Sequence, residues 1–579
     1  MTFPWANRSN RPTDRSIWWL LAILLAAVPL RLVRLTDSLW YDEIWSTRIM
    51  LDGALTLLVH TFVDLHPPLY SSFMFLWIRV FGDTELAVRL PPLIFALSSI
   101  PLSYAVASRF AGRTASLTTA LLLCFSPVHI WYSTEARSYA LGMFLVLLAT
   151  YSYYGIRDDP DHRWHLRVYA ASVFALVFTH YFLFAYALAF TVLTLLTPRR
   201  SRDAILRVNL AALAAFAVFF AIKHLLAPLP RDLLYLRPFT FSELYQSFFN
   251  WFPFGGVYGR IPPPSGMGFS EISLLCAQLL FVALFVRGAV RNTRSPGGTG
   301  RLDLFFYVLT LPVGLLALNF LGAGHSYLER SLLVVQPFFY MFVARGATGF
   351  RHRWIERASL AFVAVLMLAT LGRFYAKGIA YSPNPDWKAA GAYFGLELNT
   401  VGPPRRIFVA SPAIPLSYYD RRIVTYVDRE SEAERESMES LVRPSTFHVG
   451  LARRIADRYY ERFQERLKGA SAEIHLVSST ELSEMLTLHR PEPFYLLRDA
   501  FWPAHFDQLL AAAEQEPGFE ISQLFSVRGI TIYKCRLAEG DLPAPGGSRY
   551  RRSHGTVGGL LKVVGFTALS GGFHPWRAA

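Results

Sequence analysis

Uncharged apolar runs recur along the first 375 or so residues, separated by short connections in which arginine collects. The first, SIWWLLAILLAAVPL from Ser16 to Leu30, continues into Arg31 with no small-residue cleavage site after it, so it predicts a retained span rather than a removed leader. With that span at 17–35, further runs near 86–107, 113–128, 137–155, 166–180, 181–198, 205–226, 270–288, 302–322, 328–345 and 356–374 bring the expected number to about eleven. SSFMFLWIRVFG, Ser71 to Gly82, is ambiguous. Its 12 residues include Arg79 and fall short of the roughly 20 apolar residues a spanning helix needs, so a helix lying on the membrane surface suits it better.

Composition agrees: 53% of the 579 residues are hydrophobic and 15% aromatic, above the content of an ordinary soluble domain. The net charge of +15 is mostly arginine in alternate connections, near 8–15, 109–113, 157–167, 199–207, 287–301 and 345–357. That is the positive-inside pattern, which makes these six cytoplasmic and removes nucleic acid as the implied partner. The opposite connections, around 36–85, 129–136, 227–269 and 323–327, are poor in basic residues and hold Asp42, Glu43, Asp64 and Glu135. Counting 67–82 as a span would turn most arginines outward. Cys124 and Cys276 fall in apolar runs and Cys535 stands alone, so no disulfide framework is indicated.

Beyond residue 375 the pattern changes. NPDWKAAGAYFGLELN reads as a helix, and RIFVA, RIVTYVD, PFYLLRD and ITIYKC read as strands among helical stretches. The expected organisation is a transmembrane domain over 1–374, a soluble α/β domain on the outer face over 375–541, and a disordered tail over 542–579. The tail's apolar piece, GGLLKVVGFTAL, is too short and broken to span.

Four outward segments concentrate the polar groups that packing does not explain: WYDEIW (40–45), DLHPPLY (64–70), YSTEARSYAL (132–141) and GHSYLERSLL (324–333). Each stands where a span meets the outer surface, so convergence on one cavity is the expectation. An acidic pair in a loop is ordinarily two solvated charges, but Asp42 and Glu43 lie among Trp40, Tyr41 and Trp45, residues suited to the interfacial aromatic belt. A carboxylate partly desolvated there becomes a better base. His66 precedes Pro67 and Pro68, a pattern that also suits a helix start, and Glu135 also suits a helix N-terminus.

Arg137 opposes the charge bias of its side. Arg330 lies just inside an apolar run beside His325, Tyr327 and Glu329, where it either pairs with Glu329 or holds a phosphate, a role suited to a planar, permanently charged guanidinium. Tyr139 and His325 join the two arginines as candidate donor-phosphate residues. The aromatic stretch FFNWFPFGG (248–256) is expected to line the interface rather than stack on a sugar. No P-loop, dinucleotide fingerprint, zinc spacing or nucleophile elbow stands in a convincing context. A substrate present outside the cytoplasm without nucleotides is therefore implied, and a lipid phosphate in the bilayer fits the arginines.

The order of these motifs, an acidic pair after the first span, then HPPLY, then FGDTELAVRLPPLIFAL (81–97), then YSTEARSYAL, resembles the bacterial branch of glycosyltransferase family 39. These are protein O-mannosyltransferase-like enzymes related to the lipid A aminoarabinose transferase, and the resemblance covers most of 30–155, returning at Arg330 and Pro337. It implies a GT-C membrane fold, a polyprenyl-phosphate sugar donor, a protein, glycan or lipid acceptor, and catalysis on the outer face of the bacterial cytoplasmic membrane. It further implies that Asp42 is the base or acceptor-positioning group, that Glu43 supports it, and that Glu135 falls near the family's second acidic position. Several relatives carry an aspartate a few residues later than Glu135. His66 stands where the aminoarabinose branch has a glutamate associated with metal, so a divalent metal is the candidate cofactor, left open by that exchange. The rival readings are a lipid-linked sugar flippase, which would favour ionisable groups at mid-membrane between repeats, and another polyprenyl-lipid-dependent transferase. All candidate catalytic residues precede the outer domain, which is therefore expected to serve acceptor choice.

Overall fold

The computed structural model describes residues 14–40, 42–44, 46–47, 57, 61, 66–195, 199–226, 239–256, 269–293, 300–320, 327, 329–377, 385–399, 405–409, 414–419, 422–425, 472–476, 482, 494–499, 503–515, 519–528 and 530–537. The chain forms two compact units. One comprises Met1–Thr36, Ile49–Ile222 and Leu236–Tyr381; the other comprises Asp37–Arg48, Lys223–Tyr235 and Ser382–Ala579.

The first unit is helical. A helix stands at each of the apolar runs: Asp14–Leu32, Glu85–Ala107, Arg113–Phe125, Tyr139–Asp158, Arg163–Val177, Phe184–Leu195, Arg199–Leu226, Phe269–Thr293, Gly300–Phe320, Gln336–Ala347 and Arg353–Lys377. Among the described residues, five segments (Glu85–Ala107, Tyr139–Asp158, Ser201–Lys223, Ile272–Asn292 and Arg353–Ala376) are long and apolar enough to cross a bilayer. The bent pair Arg113–Phe125 and Pro127–Ser133 makes a sixth if it is one span. Tyr139–Asp158 is 83% buried and Ser201–Lys223 only 17%, which places the first at the centre of the bundle and the second at its rim.

Glycine sets the tightest crossing. A Cβ on Gly288 would meet the Phe342 carbonyl oxygen at 1.9 Å, and one on Gly346 would meet that of Leu284 at 1.8 Å, so these two helices touch backbone to backbone. Arg287 and Arg291 then donate to Thr348 O (2.9 Å) and Arg345 O (2.6 Å), satisfying carbonyls at the end of Gln336–Ala347. Part of the arginine excess is thus spent on helix ends. Arg89 does the same for the first helix, donating to Arg34 O at 3.0 Å and Leu35 O at 3.3 Å.

Two local features shape the region of the predicted site. The helix Leu69–Phe81 has 13 residues, about 20 Å at 1.5 Å per residue against a hydrocarbon core of roughly 30 Å. It buries one stripe, Tyr70, Met74 and Ile78, and exposes Leu76, Val80 and Phe81. The second feature is a 61° bend at Ser126, where Ser126 Oγ accepts from His129 N–H (3.3 Å) and Pro127 opens the next turn. Arg31 donates to the carbonyls freed there, Cys124 O at 3.2 Å and Leu123 O at 3.5 Å, and its Nη2 lies 2.7 Å from His129 Nδ1. Gln336 Nε2 donates to Ser126 Oγ at 2.9 Å. Serine, proline and a buried arginine together make the break affordable in an apolar interior.

The second unit contains a six-stranded sheet of β1 (Arg405–Val409), β2 (Ile423–Thr425), β3 (Ala472–Leu476), β4 (Phe494–Asp499), β5 (Phe519–Val527) and β6 (Ile530–Leu537), ordered β2-β3-β1-β4-β6-β5. The first four in that order run parallel, with Ile407 opposite Ile474 and Tyr495; β6 is antiparallel to β4, with Tyr533 opposite Leu496. β4 is buried on both faces, as the centre of a covered sheet must be. Tyr495 and Leu497 face Trp387, Ala390 and Phe394 of the helix Trp387–Glu397; Phe494 and Leu496 face Phe506, Leu509 and Ala513 of the helix Pro503–Gln515.

Candidate functional site

The acidic pair belongs to the second unit. Asp42–Ile44 is helical, and the Glu43 side chain turns back so that its Oε2 accepts from Trp40 N–H at 3.2 Å, one half of a capping box. Ser46 Oγ donates to Asp42 O at 3.1 Å, and Thr47 Oγ1 donates to Glu43 O. Glu43 is 1% exposed and serves its own turn, whereas Asp42 is half-buried. The two residues are therefore unequal: the Glu43 carboxylate holds the backbone, and Asp42 is the less buried of the pair.

The remaining candidates lie in the first unit, where Tyr139 is the hub. Arg330 stands over the Tyr139 ring with its guanidinium carbon 5.8 Å from the centroid. The rings of His180 and Tyr132 lie 6.2 and 5.3 Å from it. His180 meets His66 edge-on at 5.1 Å, and Arg137 Nη2 is 3.5 Å from His66 Nε2. Tyr132 is within electrostatic reach of Glu135, Glu329 and Arg330, and Trp131 Nε1 donates to Glu135 Oε2 at 3.1 Å. His66, Glu135, Arg137, Tyr139 and Arg330 are thus drawn into one cluster. The bend at Ser126 makes this possible, because it ends the helix early and leaves 134–138 as an irregular corner, pinned by Arg137 N–H to Glu135 O at 2.7 Å.

His325 lies outside the described residues, as do Tyr41, Trp45 and Asp64. His180, Tyr132 and Trp251 are the cluster members that sequence reasoning passed over. His180 had a signal: it sits where the runs 166–180 and 181–198 meet with no connection between them, and a 3-10 turn (Tyr181–Leu183) does begin there. The stretch 248–256 is not an interface lining. It passes through a π-helix (Ser247–Trp251), and Phe248, Trp251, Phe252 and Phe254 are buried; Trp251 lies edge-on to Tyr132 at 5.9 Å.

The residues around His66 do not fit a divalent metal. A guanidinium beside Nε2 would repel a cation, and among the described residues no group of three or more His, Cys, Asp or Glu is placed to hold one. The two guanidiniums, Arg137 and Arg330, are the hydrogen-bond donors here that suit an anion, with Glu135 and Glu329 beside them.

A fold of many apolar helices with a separate α/β unit and a polar cluster at the helix ends is that of an integral membrane protein. Comparison with known proteins narrows it. Residues 65–226, which include His66, Glu135, Arg137, Tyr139 and His180, match the family described as dolichyl-phosphate-mannose-protein mannosyltransferase. The structure is similar to apo ArnT from Cupriavidus metallidurans, with TM-score 0.50 and 13% identity over 90% of this chain and 98% of that one. It is similar also to the same protein bound to undecaprenyl phosphate, with TM-score 0.50 and 14% identity over 89% and 98%. No curated protein matches in sequence. At such identities the structural likeness speaks for the fold, and the fold is the GT-C fold of membrane glycosyltransferases. HPPLY and YSTEARSYAL both lie within the matched stretch 65–226.

Proposed function

We propose that this protein transfers a sugar from a polyprenyl-phosphate carrier to an acceptor, with inversion at the anomeric carbon. The observation that carries the reading is that Arg137 and Arg330 gather with His66, His180 and Glu135 around Tyr139, because a lipid phosphate is the anion that two guanidiniums at helix ends in a membrane would meet. ArnT has been seen with undecaprenyl phosphate, which supports that class of carrier. Asp42 takes the proton from the acceptor's nucleophilic atom as that atom bonds to the anomeric carbon. The bond from that carbon to the phosphate oxygen breaks, and the carrier phosphate leaves as an anion whose charge Arg137 and Arg330 balance. A phosphate leaves with little protonation, so the acid of a glycosidase pair has no counterpart here.

In this reading the helical unit crosses the bacterial cytoplasmic membrane with about eleven spans, Leu69–Phe81 lies on its surface, and the acidic turn and the α/β unit face outward. The transmembrane part ends near residue 374, the α/β domain extends to about 541, and the remainder is a tail. The acceptor is a protein, glycan or lipid. The test is to reconstitute the full chain in vesicles with radiolabelled undecaprenyl-phosphate sugars and acceptor fractions from a bacterial envelope. Label transferred with loss from the carrier supports transfer; label that changes leaflet while still on the carrier would favour a flippase.

A further inference from the structure

Asp42 lies on a turn whose backbone is held from the far end of the chain. Leu39 N–H donates to Tyr419 Oη at 2.7 Å, and Lys388 N–H donates to Ser38 Oγ at 3.2 Å. The two anchors belong to neighbouring helices of the α/β unit, Trp387–Glu397 and Ile414–Tyr419. Their approach is set by Gly391: a Cβ there would meet Tyr419 Cβ at 2.9 Å, too close to keep the tyrosine in place. The same helices are fixed on the sheet by Trp387, Ala390, Phe394 and Leu416, which pack with Ile407, Tyr495 and Leu497. The chain N-terminal to Asp42 is thus fastened at two successive residues, Ser38 and Leu39, and Glu43 fastens Trp40 from the other side.

We infer that Tyr419 is a positioning residue: its hydroxyl, on a side chain whose Cβ is seated on Gly391, fixes the turn that presents the Asp42 carboxylate, so the α/β unit sets the rate of the chemical step as well as meeting the acceptor. This rests on the proposed role of Asp42. It revises the expectation that the domain serves acceptor choice alone. A hydroxyl that accepts a hydrogen bond from a buried backbone N–H leaves a costly orphan when removed, and a base displaced by a fraction of an ångström loses much of its effect.

The test uses the full chain reconstituted in nanodiscs, with Tyr419→Phe, which keeps the ring and the Cβ packed on Gly391 and deletes only the oxygen. Three quantities are read: amide hydrogen exchange over 37–48, affinity for undecaprenyl phosphate, and kcat with whichever radiolabelled undecaprenyl-phosphate sugar the wild type uses. Expected are faster exchange confined to 37–48, unchanged affinity, and kcat lower by about tenfold, the order that one such hydrogen bond supports. Gly391→Ala, which displaces the tyrosine without removing its hydroxyl, should reproduce the pattern. Unchanged exchange over 37–48 in both variants would overturn the inference, and so would faster exchange with an unaltered kcat. Asp42→Asn, run alongside, keeps the two readings apart: if it turns over normally, the role of Asp42 has failed by itself, whereas an inactive Asp42→Asn beside a fully active Tyr419→Phe defeats only the positioning role.

Discussion

Asp42 depends on contacts that span 380 positions of sequence, Leu39 to Tyr419, and on a turn capped by its own neighbour Glu43. The cluster around Tyr139 depends on where helices stop. His66 immediately precedes the Pro67-Pro68 opening of a short helix, Arg137 sits in the corner after a broken one, His180 starts a 3-10 turn, and Arg330 stands in a 3-10 segment, Glu329–Val335. A group held by one remote domain is lost when that domain's contacts are lost. A group at the end of a packed helix survives such changes and fails only when the bundle rearranges. The acidic turn should therefore be separable from donor binding by mutation, and the cluster should not.

The largest expected effect breaks the comparison at its first half. Asp42→Asn keeps the size of the side chain and removes the base, so transfer should fall by roughly 10²–10⁴-fold. Affinity for undecaprenyl phosphate, measured with the same preparation, should stay at its wild-type value. A variant that loses binding together with turnover would mean that the two regions are not separable.

The second effect strikes the other half. Arg137→Ala and Arg330→Ala should each weaken use of the lipid donor by about 10- to 100-fold, the range for a charge-assisted hydrogen bond to a phosphate. The lysine variants should fall in between, because charge is retained and the planar fork is lost. Donor titration decides it: a raised apparent KM together with a lower kcat is expected in the alanine variants, because the arginines balance charge that grows as the phosphate leaves, and an unchanged dependence on donor in both would remove the arginines from the donor site.

How far these regions were readable follows from how they are held. Helices are written in local periodicity, so every apolar run marked one, and Ser126-Pro127 gave the bend a local cause. Arg137 stood out because, in a connection expected to face outward, it opposed a chain-wide bias. His180 escaped because a connection of zero length leaves no polar segment to notice. The grip of Tyr419 on Leu39 was not readable at all: nothing in PLSYYD separates a tyrosine that anchors a distant backbone from one that packs on a neighbouring helix. Glu43 was paired with Asp42 by adjacency, and only the direction of its side chain toward Trp40 separates the two roles.

That separation predicts a graded effect. Glu43→Gln retains an oxygen able to accept from Trp40 N–H and should lower turnover by no more than about fivefold, whereas Glu43→Ala removes the cap, at a cost of about 1 kcal/mol in the turn, and should fall further. If Gln were as damaging as Asp42→Asn, the charge of Glu43 and not its capping geometry would matter, and the unequal reading of the pair would be wrong.

The smallest effect probes the face of the sheet opposite to the helices that hold the acidic turn. Cys535 on β6 is buried among Phe494, Leu496 and Phe506, and burial pushes its thiol from 9.0 up to about 12. The folded state thus prefers the neutral thiol more strongly than the unfolded chain does. Its contribution is fully present below about pH 9 and is lost as the pH climbs from there toward 12. Cys535→Val, which has nothing to ionise, should show a flatter decline over that window when exchange protection of β4 and β6 is followed in the full chain. At neutral pH the native thiol should resist iodoacetamide far longer than an unfolded peptide of the same sequence. Alkylation at the peptide's rate would mean that this face of the sheet opens freely, and the α/β unit would then be too loose to hold Leu39 and Asp42 in place.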